Sequence, residues 1–403
     1  MTHAPLTLGI EDWLLSEALE DPDTPALFAA LCQRLHGIGV AVDRALMSWL
    51  ILHPLFGSEE VSWTSDGEVG LVQYDHATIG GRLWQQSPLA HVHSNRLACL
   101  RRRLSGEGAL LDFPILEEFA AEGFTDYFVN KAVFRVGDMP NVLGGRPGII
   151  VSWATRRPGG FTPDDLSALE RVLKPLAVAT HASLQHRVLR NVATTFLGET
   201  AGRRLLTGDI KLGDGETIPA VLWFSDLRGS TRLSESMAGD DYLALLNLYY
   251  ACTAAPVIAA GGEILTFIGD GVLAGFRVPD GDAGPAVAKA EGAIAAALEA
   301  RASALAAGTP GGTPLDFGIG IALGEVMMGN IGVPDRLAFS GISTAVNRAQ
   351  RIEAATKTLK SPVLAEAAVV ALASGDWSPV DTVPLDGLAE ASTLFAPLAS
   401  PPD

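Results

Sequence analysis

The chain has 403 residues, with 29 Lys and Arg against 46 Asp and Glu, a formal net charge of −17 and 48% hydrophobic residues. That apolar content excludes a disordered chain, and the length gives room for two or three domains. The negative charge excludes a general affinity for nucleic acid or anionic lipid, whose phosphates would repel it.

Three cysteines are an odd count that fits reduced thiols in a cytoplasmic protein. No apolar run is read as approaching the roughly 20 residues of a membrane span. Residues 1–12 show no basic stretch followed by an apolar one, so no secretory signal is read.

Taken in chain order, the first half reads as mixed α/β. Leu27, Phe28, Leu31 and Leu35 recur at helical spacing within 25–38. Residues 44–53 and 148–154 are apolar, and the second run is bounded by Arg146-Pro147 and Pro158-Gly159-Gly160, so both read as strands. Thr162 followed by Pro163 opens a helix that runs on through Leu176 towards Leu189. Its length suits a connecting helix between domains. His91 and His93, two apart, would share one side of a strand, but no other ligand stands at metal spacing nearby. Trp49, Trp63 and Trp84 read either as the lining of a ligand pocket or as core.

The Gly- and Asp-rich stretch 207–217 reads as a linker. Beyond it the expected order is strand 219–225, helix 240–260, hairpin 263–276, helix 283–307, strand 316–323, a second apolar stretch 326–331, and helix 343–356. This βαββαβ order is that of a ferredoxin-like sheet with helices on one face.

Two carboxylates stand at the ends of apolar strands. Asp226 follows Val221-Leu222-Trp223-Phe224, and Asp270 sits at the hairpin tip Gly269-Asp270-Gly271. Charge there is costly unless paired or metal-bound, and two carboxylates with substrate phosphates suit a hard divalent ion. Capping and turn roles explain each alone. Asn347 and Arg351 lie four apart and share one helix face. An amide beside a guanidinium suits a ribose and a developing phosphoryl charge.

The segments F-S-D-L-R-G-S-T (224–231), G-G-E-I-L-T-F-I-G-D-G-V-L-A-G-F (261–276), G-I-G-I-A-L-G-E-V-M-M-G-N-I-G (318–332) and A-V-N-R-A-Q-R-I-E (345–353) resemble class III nucleotidyl cyclases, collinearly over about 219–397. The resemblance implies conversion of a nucleoside triphosphate to a 3′,5′-cyclic monophosphate and pyrophosphate. It implies two Mg²⁺ or Mn²⁺ ions per site on Asp226, Asp270 and the backbone carbonyl of Leu227, with Asn347 orienting the ribose and Arg351 stabilising the transition state. It also implies a homodimer whose sites combine the aspartates of one protomer with the Asn/Arg pair of the other.

Departures from the family pattern bear on substrate. The base-reading positions carry Thr266, where Lys or Glu is usual, and Ser340, a hydroxyl like the usual Thr. With no acidic residue at 266, ATP is expected over GTP; guanylate cyclase activity and a catalytically degenerate dimerisation module are the alternatives. Asp386 falls where a basic residue often faces the triphosphate. In the first half, residues 111–116 and 125–128 resemble a GAF-like sensor domain. The expected organisation is α+β: a GAF-like α/β regulatory domain at 1–161 answering to a small-molecule or protein regulator, a connecting helix and linker at 162–217, and a ferredoxin-like cyclase domain at 218–403. Nucleic acid and membrane are not expected partners.

Overall fold

The computed structural model describes residues 3–135, 147–209, 211–279, 281–384 and 391–398. Asp386 lies outside the described residues. The chain divides into two compact units, 1–192 and 193–403.

The first unit is built on six antiparallel strands. Its elements are α1 (Ala4–Glu17), α2 (Thr24–Gly37), β1 (Arg44–Leu50), β2 (Phe56–Thr64), β3 (Val69–Asp75), α3 (Arg82–Gln85), α4 (Pro88–Ser94), β4 (Cys99–Arg103), α5 (Pro114–Ala121), β5 (Asp126–Val133), β6 (Gly148–Thr155) and α6 (Pro163–Leu197). The strand order is β3-β2-β1-β6-β5-β4. Alternation along β1 sends Ala45, Met47 and Trp49 to one face, where they pack with Leu14, Phe28, Leu31 and Leu176 from α1, α2 and α6. On the other face α4 and α5 cover Tyr127, Val129 and Ile150 through Val92, Leu116 and Phe119. The start of α6 is capped reciprocally: Asp165 N–H donates to Thr162 Oγ1 at 3.2 Å, and Thr162 N–H donates to Asp165 Oδ2 at 2.7 Å.

His91 and His93 lie on helix α4, not on a strand, so they do not share a side. His93 is buried edge-on to Trp84, and His91 meets Phe113. No group of three metal-ligating side chains occurs among the described residues.

The second unit has α7 (Glu199–Thr207), β7 (Gly215–Leu227), α8 (Ser230–Ser236), α9 (Gly239–Ala259), β8 (Glu263–Ile268), β9 (Gly271–Arg277), α10 (Gly284–Ala307), β10 (Phe317–Val333), β11 (Arg336–Ile342), α11 (Thr344–Leu359), β12 (Val363–Glu366), α12 (Ala367–Val370), β13 (Trp377–Pro384) and β14 (Ala391–Pro397). The sheet order β13-β14-β12-β10-β7-β9-β8 contains the βαββαβ core, with β10 and β9 flanking β7. Helices α9 and α10 pack through Leu245, Tyr249, Val287 and Ile294 onto the face that carries Val221 and Trp223. Helix α11 covers the opposite face, where Leu222 and Phe224 meet Val346, Ala349 and Ile352. Helices therefore occupy both faces rather than one, because β7 is apolar on both sides.

Two further expectations are corrected. The strand expected at 316–323 runs on through the apolar stretch 326–331 as one continuous strand, β10, which pairs with the unanticipated β11. Helix α9 is long and apolar enough to cross a membrane by length and composition, which the run-length reading overlooked. Here it presents Leu245, Tyr249, Cys252 and Val257 to the core.

Helix α11 approaches β10 closely because β10 offers glycine there. A Cβ on Gly320 would collide with the Ala349 carbonyl oxygen and the Glu353 nitrogen. We expect Gly320→Ala to destabilise the second unit by about 1–3 kcal/mol through overpacking. An unchanged urea midpoint would show that this contact is loose.

Candidate active site

The last residues of β7 and the β8–β9 turn bring two carboxylates together. Asp226 is the penultimate residue of β7, opposite Gly318 of β10. Asp270 lies in the turn between Ile268 and Gly271, where Gly269 takes φ +64, a conformation glycine adopts without strain. The turn is held by Tyr250, whose hydroxyl donates to the Gly269 carbonyl at 3.1 Å and whose ring lies 4.8 Å from that of Phe267. Buried Tyr249 donates from its hydroxyl to Ser225 Oγ at 3.0 Å, which fixes the strand beside Asp226. Beyond Leu227, the Arg228 N–H donates to the Asp316 carbonyl at 2.9 Å, and its guanidinium reaches the Asp316 carboxylate at 3.3 Å.

Burial, and after it the neighbouring Asp270, raises the Asp226 pKa above the usual carboxylate range. The two side chains are close enough to share a hydrogen bond. One Asp270 oxygen, Oδ2, is buried with no hydrogen-bond partner. Lys357 supplies a cation to Asp226, with Nζ 3.5 Å from Oδ2, but this lysine is largely exposed. Together Asp226 and Asp270 form an oxygen-rich pair of the kind a hard divalent ion occupies.

Neither Lys357 nor Glu353 was singled out from sequence. They are four apart on α11, and that spacing was the one available signal. Glu353 is 3% exposed, and burial pushes its carboxyl up to about 7, against the pull of Lys357. It sits where a Cβ on Gly318 would collide with it.

The remaining expected residues gather elsewhere. Asn347 is exposed and Arg351 half-buried on α11, and among the described residues their side chains make no hydrogen bond or ion pair. Asn347 is ten residues before Lys357, which places it about 15 Å along the helix from the end that meets Asp226. Ser340 on β11 pairs with Gly329, eleven residues along β10 from the Asp226 partner Gly318. That is roughly 35 Å of strand. Thr266 on β8 is half-buried, and its hydroxyl donates to the Phe267 carbonyl at 3.3 Å. It borders a cavity of about 1320 Å³ shared with Phe339, the neighbour of Ser340. Thr266 and Phe339 thus line one cavity, and Asp226, Leu227 and Asp270 are not among its lining residues.

Residues 216–395 match the sequence model of the adenylate and guanylate cyclase catalytic domain. An adenylate cyclase of Anabaena cylindrica is 34% identical over 165 residues, covering 40% of this chain and 32% of that protein. An uncharacterized protein of Mycobacterium tuberculosis (strain CDC 1551 / Oshkosh) is 31% identical over 192 residues, covering 47% of this chain and 33% of that protein. Among solved structures, the guanylyl cyclase Cya2 is 29% identical, with a TM-score of 0.39 over 45% of this chain and 93% of that one. The chain spans about a third of the length of these two curated relatives. Residues 216–395 are a class III adenylate and guanylate cyclase catalytic domain.

Glu353 predicts a pH dependence. Its folded pKa of about 7 lies above the ordinary 4.5, so the folded state holds the proton more tightly. The stability this supplies is full below 4.5 and is lost as pH rises towards 7. Thermal melts from pH 4.5 to 8 should show Glu353→Gln flattening that decline; an identical profile would contradict the assignment.

Proposed function

We propose that the chain is a nucleotidyl cyclase that converts ATP to 3′,5′-cyclic AMP and pyrophosphate. In this reading it works as a homodimer in the cytoplasm, with two Mg²⁺ or Mn²⁺ ions per site, under the control of a GAF-like sensor domain at 1–161. The observation that carries the reading is the adjacent pair Asp226 and Asp270, with one Asp270 oxygen buried and unpartnered. Two carboxylates that repel one another, served only by an exposed lysine, fit hard divalent cations.

Asp226, Asp270 and the Leu227 carbonyl would hold the ions. Bound there, divalent ions polarise phosphoryl oxygens and make a hydroxyl more acidic. The side chains of the protein do the rest. Asn347 orients the ribose so that its 3′-oxygen faces the α-phosphorus. As that oxygen bonds to phosphorus and pyrophosphate leaves, Arg351 donates to the phosphoryl oxygens on which negative charge grows. The separations of about 15 Å along α11 and roughly 35 Å along β10 favour a site completed by a second chain. The β10–β11 hairpin also exposes Met327, Val333 and Ile342, an apolar edge suited to burial against a partner.

ATP is favoured because Thr266 and Ser340 can accept from the 6-amino group and donate to a ring nitrogen of adenine, and no acidic residue stands at 266 to take the donors of guanine. The likeness to the Anabaena enzyme supports the same choice.

The full chain incubated with Mn²⁺ and ATP should form cyclic AMP, and Asp226→Ala should abolish it. Absence of cyclic product from both ATP and GTP would overturn the enzyme reading. Arg351→Ala should lower kcat by about 10²–10³, the range for loss of one transition-state donor. If Thr266 faces the base, Thr266→Lys should raise turnover with ATP and not with GTP; equal rates would remove it from base recognition.

A further inference from the structure

The face of the first sheet that α4 and α5 leave uncovered is polar where a core would be apolar. Arg44, Ser48, Ser58, Glu60 and Ser152 project from β1, β2 and β6 into a cavity of about 610 Å³. That volume lies in the range of small-molecule sites. Trp84, Phe119, Ile115 and Leu89 are among its apolar lining residues. Serines at Ser48, Ser58 and Ser152 leave room and offer hydroxyls.

Glu60 and Arg44 set the electrostatics of this space. Glu60 accepts a hydrogen bond from Tyr74 and feels the charge of Arg44, but among the described residues it has no ion-pair contact. The Arg44 guanidinium lies 5.2 Å from the centroid of the Phe119 ring. Lys131, also at the cavity, donates to the Val92 carbonyl at 3.0 Å. Glu118 and Arg82 line the cavity as well, so a free anion is repelled by Glu60 and Glu118 and a free cation by Arg44, Arg82 and Lys131. A neutral ligand that donates to Glu60 and accepts from Arg44 satisfies both.

We propose that this cavity binds a planar nitrogen heterocycle with a 2-amino-4-oxo edge, its two N–H groups on the Glu60 carboxylate and its carbonyl oxygen on Arg44. Two parallel N–H donors match a carboxylate as a guanidinium does. The ring body fills the slot beside Trp84 and Phe119. The proposal deepens the regulatory reading of 1–161 and rests on it only for an effect on turnover; binding is read separately.

The test titrates the full chain with 6,7-dimethylpterin and with 6,7-dimethyllumazine, which replaces the 2-amino donor by an oxygen, following ligand fluorescence and equilibrium dialysis. The expected result is saturable binding of one pterin per chain, at least about tenfold tighter than lumazine, as a charge-assisted hydrogen bond predicts. Glu60→Gln should weaken pterin by a similar factor and leave lumazine within about twofold. No saturable binding, equal affinity of the wild type for both compounds, or a preference that survives Glu60→Gln would overturn the proposal. The wild-type comparison needs no variant to fold. If pterin binds as expected and cyclic product formation does not change, the site stands and the regulatory reading fails.

Discussion

Two carboxylates held side by side are the constraint on which the second unit turns. Asp226 and Asp270 lie on different elements, and their mutual repulsion would drive the β7 end and the β8–β9 turn apart. The structure resists this with contacts that have no other evident use. Tyr250 ties down the turn, Tyr249 holds Ser225, and Arg228 binds the strand end to Asp316. In turn Asp316 is shared with Arg301 of α10 at 2.8 Å. A cradle braced from several sides keeps its oxygens placed for a cation, so that little reorganisation is left for the moment of binding.

The same geometry is the reason the proposed reading places the chemistry between two chains. The helix that carries Asn347 and Arg351 touches the carboxylates only through its far end, at Lys357. Strand β10, seventeen residues long, carries Ser340 away from Asp226 through its pairing with β11. A rigid sheet fixes these separations, and in the proposed reading a second copy supplies the missing groups. Lys357 then acts as a modest cation beside Asp226, exposed enough to be displaced.

Local pattern made much of this legible in the sequence. Asp226 and Asp270 stand out because charge at the end of an apolar strand is conspicuous; α11, expected at 343–356, is capped in the structure by Ser343, which accepts from the Val346 N–H at 3.1 Å. The continuity of β10 was hidden by Gly324-Glu325, which reads as a break but is paired with Ala220 and Pro219 of β7. Strand β11 follows β10 after only Pro334-Asp335, and its pairing with β10 shows only in the tertiary structure. Glu353 and Lys357 gain meaning from Asp226, more than a hundred residues away. The histidines of α4 were misplaced because seven residues opened by Ser87-Pro88 were too short to show helical periodicity.

The central claim is that each site draws its carboxylates from one chain and its Asn/Arg pair from another. The direct measurement mixes Asp226→Ala chains with Arg351→Ala chains, each nearly inactive alone. Random exchange makes half of the dimers mixed, and each mixed dimer carries one intact site. The account predicts recovery to about a quarter of wild-type cyclic product formation. Mixed dimers that form and remain inactive would contradict it.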